Sequence, residues 1–333
     1  MDILNFTEEM IVDAAKLLAM RHQEERNSFP ELPDRFEEAG HAEKAVRGLL
    51  TKGDYIGIAA VRNGKLVGFM IANTLNEPQR GRHAWIDYAG YAIAADETPE
   101  LIRQLYSHLG ERLIRLGYFS HFVMTPCGNE KWVEAWFRLC FAHEQVHALL
   151  SLEHVAPPPP LDSSIRLATK ADEAAVRAMS NKIASQVAAA PVWGATLPEM
   201  LPDMNDGYAE LLDEEDVRFW AAFGDDGSII SCLATWPDPE SETDMKIPAN
   251  CSTVSCVATQ EAARGKGLSS RLLAIALYEA KQSGFKFFET DWRMANLPIS
   301  NFLPSRGFNP YAYRLHRQID ERVLWADGIN STH

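Results

Sequence analysis

Cysteine is scarce: five residues in 333 (Cys127, Cys140, Cys232, Cys251, Cys256), an odd number without a C-x-x-C pair. That pattern argues against a disulfide framework or a cysteine-based zinc site, and the thiols read as buried residues in a reducing compartment. Long apolar runs are missing too. None reaches the roughly 20 residues a bilayer-spanning helix needs, and no leading stretch couples positive charge to an apolar core. A cytoplasmic protein without a membrane partner is expected. Positive charge is the minority, 32 Lys and Arg against 46 Asp and Glu, for a formal net charge of −14. Such a surface disfavours nucleic acid and anionic lipid and is compatible with a cationic small molecule. Apolar residues, by contrast, are plentiful at 46%, ample for packed cores. The length makes two domains the natural expectation.

The clearest boundary is Pro157-Pro158-Pro159-Pro160, a stiff extended linker that neither a helix nor a central strand could hold. On either side the same order of segments recurs. Ile3 to Met20 and Ile165 to Met179 each read as a strand running into an amphipathic helix. Asn63-Gly64 and Asp226-Gly227 each sit between apolar strands, a strong hairpin signal. Trp85 to Ile93 parallels the strand Cys251 to Val257, and Asn129 to Phe141 has the length of Asn296 to Phe308. A repeated order without low-complexity filler implies duplication of one domain. The expected division is 1–156, a linker 157–163, a second domain 164–320 and a tail 321–333.

The two halves differ most at one turn. Arg264-Gly265-Lys266-Gly267-Leu268-Ser269 lies between an apolar strand and a helix predicted from Leu268 to Lys281, with Gly284 where the helix stops. Two glycines at a strand-to-helix turn let the backbone approach a ligand, and the helix N-terminus adds partial positive charge. Together they make a socket for a diphosphate, with Arg264 and Lys266 beside it. The spacing fits neither a Walker loop nor a Rossmann fingerprint, which would need a third glycine where Ser270 stands. A turn kept only for packing would use glycines as well. The matching stretch of the first half, Ala94-Ala95-Asp96-Glu97-Thr98-Pro99-Glu100, has no glycine and no base, and its carboxylates would repel a diphosphate.

The pattern R-x-x-G-x-[GA] resembles the coenzyme A loop of the GNAT superfamily of acetyltransferases, with Ser269 a small-for-small departure at its last position. Asn296 to Phe308 is similar to that superfamily's downstream Asn-to-Gly-Phe segment, at the right distance. The resemblance implies an α/β (α+β) fold of two GNAT-like domains, each a mixed, mostly antiparallel central sheet flanked by helices. The first domain would lack the coenzyme loop and serve a structural role. Phe285 to Asp291 would be the fifth strand and Tyr311 to Arg317 the sixth. Acetyl-CoA would be the co-substrate, with no metal. It would be held by Val257, Ala258 and Thr259 at the fourth strand's end, by Arg264, Gly265, Lys266, Gly267, Leu268 and Ser269, and by Asn296, Phe302 and Arg306.

The reaction implied is acetyl transfer to a primary amine of a small molecule, by direct attack in a ternary complex, from a monomer or homodimer. Three tasks follow from that chemistry: holding the diphosphate, donating an N–H from Val257 or Ala258 to the thioester oxygen, and removing the amine's proton. Asp291 is the candidate base. Glu289, Glu261, Cys256 and His316 are alternatives with ordinary structural readings. The position where the superfamily commonly has a proton-donating Tyr is Leu303. Tyr313 is the candidate donor instead, with Tyr311, Ser305 and solvent as alternatives. Trp193, Trp220 and Trp292 could wall an acceptor pocket or simply pack a core. A non-catalytic acyl-coenzyme A sensor or structural pseudoenzyme is the second reading, and an unrelated nucleotide-binding protein the third.

Overall fold

The computed structural model describes residues 1–160 and 163–326. Positions 161–162 of the expected linker and 327–333 of the expected tail lie outside the described residues. Along the chain the elements are β1 (Asp2–Asn5), α1 (Ile11–Ser28), α2 (Ala39–Thr51), β2 (Tyr55–Arg62), β3 (Lys65–Glu77), β4 (Gly81–Ile86) and β5 (Tyr91–Ile93). There follow α3 (Glu100–Arg115), β6 (Ser120–Pro126), α4 (Glu130–Phe137), β7 (Ala142–Ser151), β8 (Ile165–Leu167), α5 (Glu173–Ala188), α6 (Leu201–Glu210), β9 (Arg218–Phe223) and β10 (Ile229–Asp238). The last are β11 (Cys251–Thr259), α7 (Leu268–Gln282), β12 (Phe287–Arg293), α8 (Leu297–Phe302) and β13 (Asn309–Gln318). Among the described residues no helix is long and apolar enough to cross a membrane.

The chain packs as two units. Unit 1 holds residues 1–147, 241–248 and those from Pro310 on; unit 2 holds 148–240 and 249–309. In unit 1 the strand order is β1-β2-β3-β4-β6-β13, with β5 paired to β3. Only β4 and β6 run parallel; their neighbours are antiparallel. The Asn63-Gly64 hairpin forms as its sequence predicts, both residues at positive φ (51° and 77°), with Arg62 opposite Lys65. Helix α3 carries Leu101, Ile102, Leu105, Leu109 and Leu113 on one face, and these close over Ile58, Met70 and Val123 of the sheet. That burial is the main favourable term holding the unit together.

Two expectations need correction. Trp85 to Ile93 is not one strand but two, parted at Asp87–Gly90. The Gly90 N–H turns back to the Asp87 carbonyl, and the Gly90 carbonyl accepts from Ile71. The buried Arg21 guanidinium occupies the parting and donates to the carbonyls of Tyr88 and Tyr91. The last strand differs as well. Instead of joining unit 2, β13 lies antiparallel to β6, with Ala312 opposite Pro126 and Gln318 opposite Ser120. Leu315 supplies the reason, since it is fully buried in the same core as Val123 and Leu113. Ala148 to the tetraproline belongs to unit 2, where the Leu152 N–H donates to the Lys286 carbonyl. The packing boundary therefore falls at His147, ahead of the proline run.

Unit 2 orders its strands β8-β9-β10-β11-β12. All pairs are antiparallel except β11 with β12. On one face Val176 and Met179 of α5, with Tyr208 of α6, pack on Phe219, Ala221, Cys232 and Ala258. On the other face lies α7, tied by the Trp220 indole N–H to the Glu279 carboxylate at 2.7 Å. Trp220 is thus a packing residue.

Candidate functional site

The turn between β11 and α7 is open to solvent from Arg264 to Gly267. Gly265 and Gly267 both adopt left-handed backbone, φ +77° and +76°, which other residues reach only at a cost in strain. Gly267 caps α7 and its carbonyl takes the first helical bond, from Arg271. Among the described residues the backbone N–H groups from Gly265 to Ser270 go to no protein acceptor. They lie at the end of α7 where the helix dipole is positive, a place suited to cradle an anion. Nothing lies within 4 Å of a Cβ built on either glycine, which leaves room for a ligand to approach the main chain.

Polar side chains fix this turn from behind. The Thr259 hydroxyl bonds the Ser269 hydroxyl at 2.6 Å and the Ser231 hydroxyl at 2.7 Å. The Gln260 amide donates to the Ile229 carbonyl at 2.6 Å. Arg306, from the segment after α8, donates to the Ser270 hydroxyl at 2.7 Å. A guanidinium so placed adds fixed charge at the first turn of α7, beside the cradle. Arg264, Lys266 and Arg306 are all exposed, so none pays a burial penalty.

A second feature lies upstream. On β11, Ser255 faces Ala234 and Ala258 faces Cys232, so Cys256 and Val257 oppose Leu233 alone. This is a β-bulge, with Cys256 at φ +58°. It puts Val257 outside the ladder. Parallel pairing of β11 with β12 also stops early, at Thr253 opposite Glu289, and beyond it the Thr290 hydroxyl reaches back to the Val254 carbonyl. Past that point β11 and β12 have no further paired register. Burial raises the Cys256 thiol pKa, which disfavours the thiolate, and Tyr208 hydrogen-bonds the sulfur. Burial likewise holds the Tyr208 phenol protonated. Sequence reasoning missed Tyr208, because only the packing of α6 over the sheet brings it to the bulge.

The expected coenzyme residues are therefore grouped in unit 2. Val257, Ala258 and Thr259 end β11, Arg264 to Ser269 make the turn, and Asn296 opens α8, where Phe302 closes it under the Arg306 guanidinium. Asp291 is exposed on β12, past the last paired residue. Tyr313 falls in the other unit. It belongs to unit 1, on β13 opposite Thr125, with its ring 4.4 Å from that of His143. Leu303 is buried in the core of unit 2, 1% exposed. His316 stacks on Phe122 and bonds the Ser120 hydroxyl, a structural role. In unit 1 the stretch corresponding to the turn has no glycine, and Glu97 is paired with Arg62.

An α/β sheet bulged beside an anion cradle at a helix N-terminus defines a class, and comparison with known proteins agrees. Residues 188–308 match the family model described as "Acetyltransferase (GNAT) family". No curated protein matches. Among solved structures, a GCN5-related N-acetyltransferase from Sphaerobacter thermophilus is 15% identical with TM-score 0.59, covering 96% of this chain and 95% of its own. A tandem GNAT protein from the clavulanic acid biosynthesis pathway is 13% identical with TM-score 0.54, over 95% of this chain and 98% of its own. A glucosamine N-acetyltransferase region of a fungal multi-domain GH3 β-N-acetylglucosaminidase is 14% identical with TM-score 0.56, over 95% of this chain and 38% of that one. The family match thus lies in the later half of the chain, and the fold of these solved structures extends over nearly all of it.

Proposed function

We propose that unit 2 is an acetyl-coenzyme A-dependent N-acetyltransferase whose acceptor is a primary amine on a small molecule. One observation carries the reading: the uncommitted N–H groups from Gly265 to Ser270, facing open space at the head of α7. Such a cradle fits a diphosphate, and Arg264, Lys266 and Arg306 would pair with its charge. Bound there, the coenzyme would supply an acyl group activated as a thioester. The Val257 N–H, at the bulge where the regular register breaks, would donate to the oxygen that gains charge during attack. Asp291, at the open end of β12, would accept the proton of the incoming amine. The acidic net charge favours cationic acceptors.

A specific observation favours a second reading, a non-catalytic acyl-coenzyme A sensor. Leu303, at the position where the resemblance would put a proton-donating Tyr, is buried and has no proton to give. One experiment separates the readings. Acetyl-CoA at one hundred times Kd should stabilise the protein by about 2.7 kcal/mol, visible as a rise in Tm of several degrees. ATP and NAD should not do so; equal stabilisation by ATP would overturn coenzyme specificity. Thiol release with a panel of primary amines then tests transfer. Coenzyme binding without release on any amine would establish the sensor.

A further inference from the structure

A cleft of about 810 Å³ opens in unit 1 between α3 and α4, closed off by His143 of β7 and Tyr313 of β13. Its size suits a small organic ligand. We propose that it binds a zwitterionic α-amino acid with an aromatic side chain.

Three features lead there. The first is charge. Arg103, Lys131 and Arg138 line the cleft together with Glu100, Glu130 and Glu134. Three cations balance three anions, so the lining has no formal net charge to attract a simple ion. Arg103 is paired with Glu100 at 2.7 Å and Arg138 with Glu134 at 3.0 Å. Among the described residues Lys131 and Glu130 have no ion-pair partner, although they are adjacent at the start of α4. One free ammonium beside one free carboxylate complements a molecule carrying both charges.

The second is an aromatic wall. The ring of His143 lies between those of Phe137 and Tyr313, with centroids 5.0 Å and 4.4 Å away. Val133 and Ala135 continue the apolar surface along α4. Phe137 is 39% exposed, a large ring left uncovered at the edge of a cavity. A planar side chain could stack there at little cost in conformational entropy.

The third is an unsatisfied polar atom. His143 Nε2 is buried and has no hydrogen-bond partner among the described residues. Buried polar atoms are normally paired, and this orphan sits on a ring that lines the cleft. Desolvation lowers the His143 pKa, which favours the neutral ring. The Tyr313 hydroxyl, whose pKa burial raises, is a donor beside it. This site needs nothing from the turn at Gly265.

Isothermal titration of the full chain with L-phenylalanine, phenylacetate and phenethylamine tests the proposal. L-Phenylalanine should bind with Kd at or below the millimolar range, at least tenfold more tightly than either singly charged analogue. Lys131→Met, Glu130→Gln and Phe137→Ala, all at exposed positions, should each weaken it about tenfold, a loss of about 1.4 kcal/mol. The Tm rise given by acetyl-CoA should be unchanged in those variants, which shows that they fold. No heat with L-phenylalanine, binding of phenylacetate as tight as the amino acid, or undiminished affinity in Lys131→Met would each overturn the assignment.

Discussion

Arg21 and Glu25, one turn apart on α1, form an ion pair of 2.7 Å with their side chains 2% and 7% exposed. Arg21 also donates to the carbonyls of Tyr88 and Tyr91, and Glu25 accepts from the Tyr88 hydroxyl at 2.8 Å. The pair therefore holds the fourth strand of unit 1 open as two pieces. Unit 2 breaks the register of its corresponding strand by a bulge at Cys256. Unit 1 puts a buried cation into the equivalent place.

That pair predicts an asymmetric response to mutation. Arg21→Met leaves the buried Glu25 charge without its cation and two carbonyls without the guanidinium, and should cost about 3–5 kcal/mol in urea unfolding. Arg21→Met with Glu25→Leu removes both charges and should recover much of the loss. Equal destabilisation by the single and double variants would mean that packing, not charge, dominates at this position.

Backbone geometry makes the turn of unit 2 equally specific. A Cβ at Gly267 meets no neighbouring atom, so the penalty expected for Gly267→Val is that of the positive φ, about 1–3 kcal/mol. The same side chain would stand in the open space before the N–H groups. Coenzyme affinity should fall by far more than stability does, with the Tm rise from acetyl-CoA abolished while the fold persists. An unaltered Kd by titration would reduce the turn to a connector.

In unit 1, His121 sets a pH dependence whose sign can be worked out. Desolvation lowers its pKa from 6.5 to about 4, while the ring bonds the Tyr106 hydroxyl at 2.7 Å and the Tyr118 carbonyl at 3.0 Å. The unfolded chain binds the proton more readily, so the stabilising contribution is complete above pH 6.5 and disappears as pH falls toward 4. The loss amounts to at most about 3 kcal/mol over that window. Unfolding free energies of the wild type and His121→Gln, measured from pH 7 to pH 4, should converge as pH falls. Parallel curves would show that His121 does not carry the titration.

Much of this architecture is legible in the residues because backbone physics requires them. Gly265 and Gly267 are needed for their left-handed φ, and Asn63-Gly64 for its hairpin; each reveals itself by side-chain absence. The destination of β13 is not legible. Tyr311 to Arg317 alternates as any half-buried strand would, and only the fit of Leu315 into one core decides which sheet it joins. For the same reason Tyr313 could not be placed from sequence and belongs to the cleft of unit 1. Arg21 on an amphipathic helix reads as a solvated charge, and its burial depends on carbonyls some 70 positions away. The meeting of Tyr208 with Cys256 is of the same long-range kind.

Tyr208 gives the most direct test of chemistry in unit 2. Its phenol, kept protonated by burial, hydrogen-bonds the Cys256 thiol at the bulge where the fourth strand departs from its ladder. With Leu303 buried, it is the tyrosine that the packing of unit 2 places at that bulge. If it protonates the sulfur released by acyl transfer, Tyr208→Phe should lower kcat about 100-fold, within the usual range for a positioned proton donor. The Kd for acetyl-CoA, set at the distant cradle, should stay within twofold. A structural role would instead reduce Tm and leave the pH profile of kcat in place. A Tyr208→Phe variant with wild-type kcat would show that the thiolate leaves unassisted or is protonated by water.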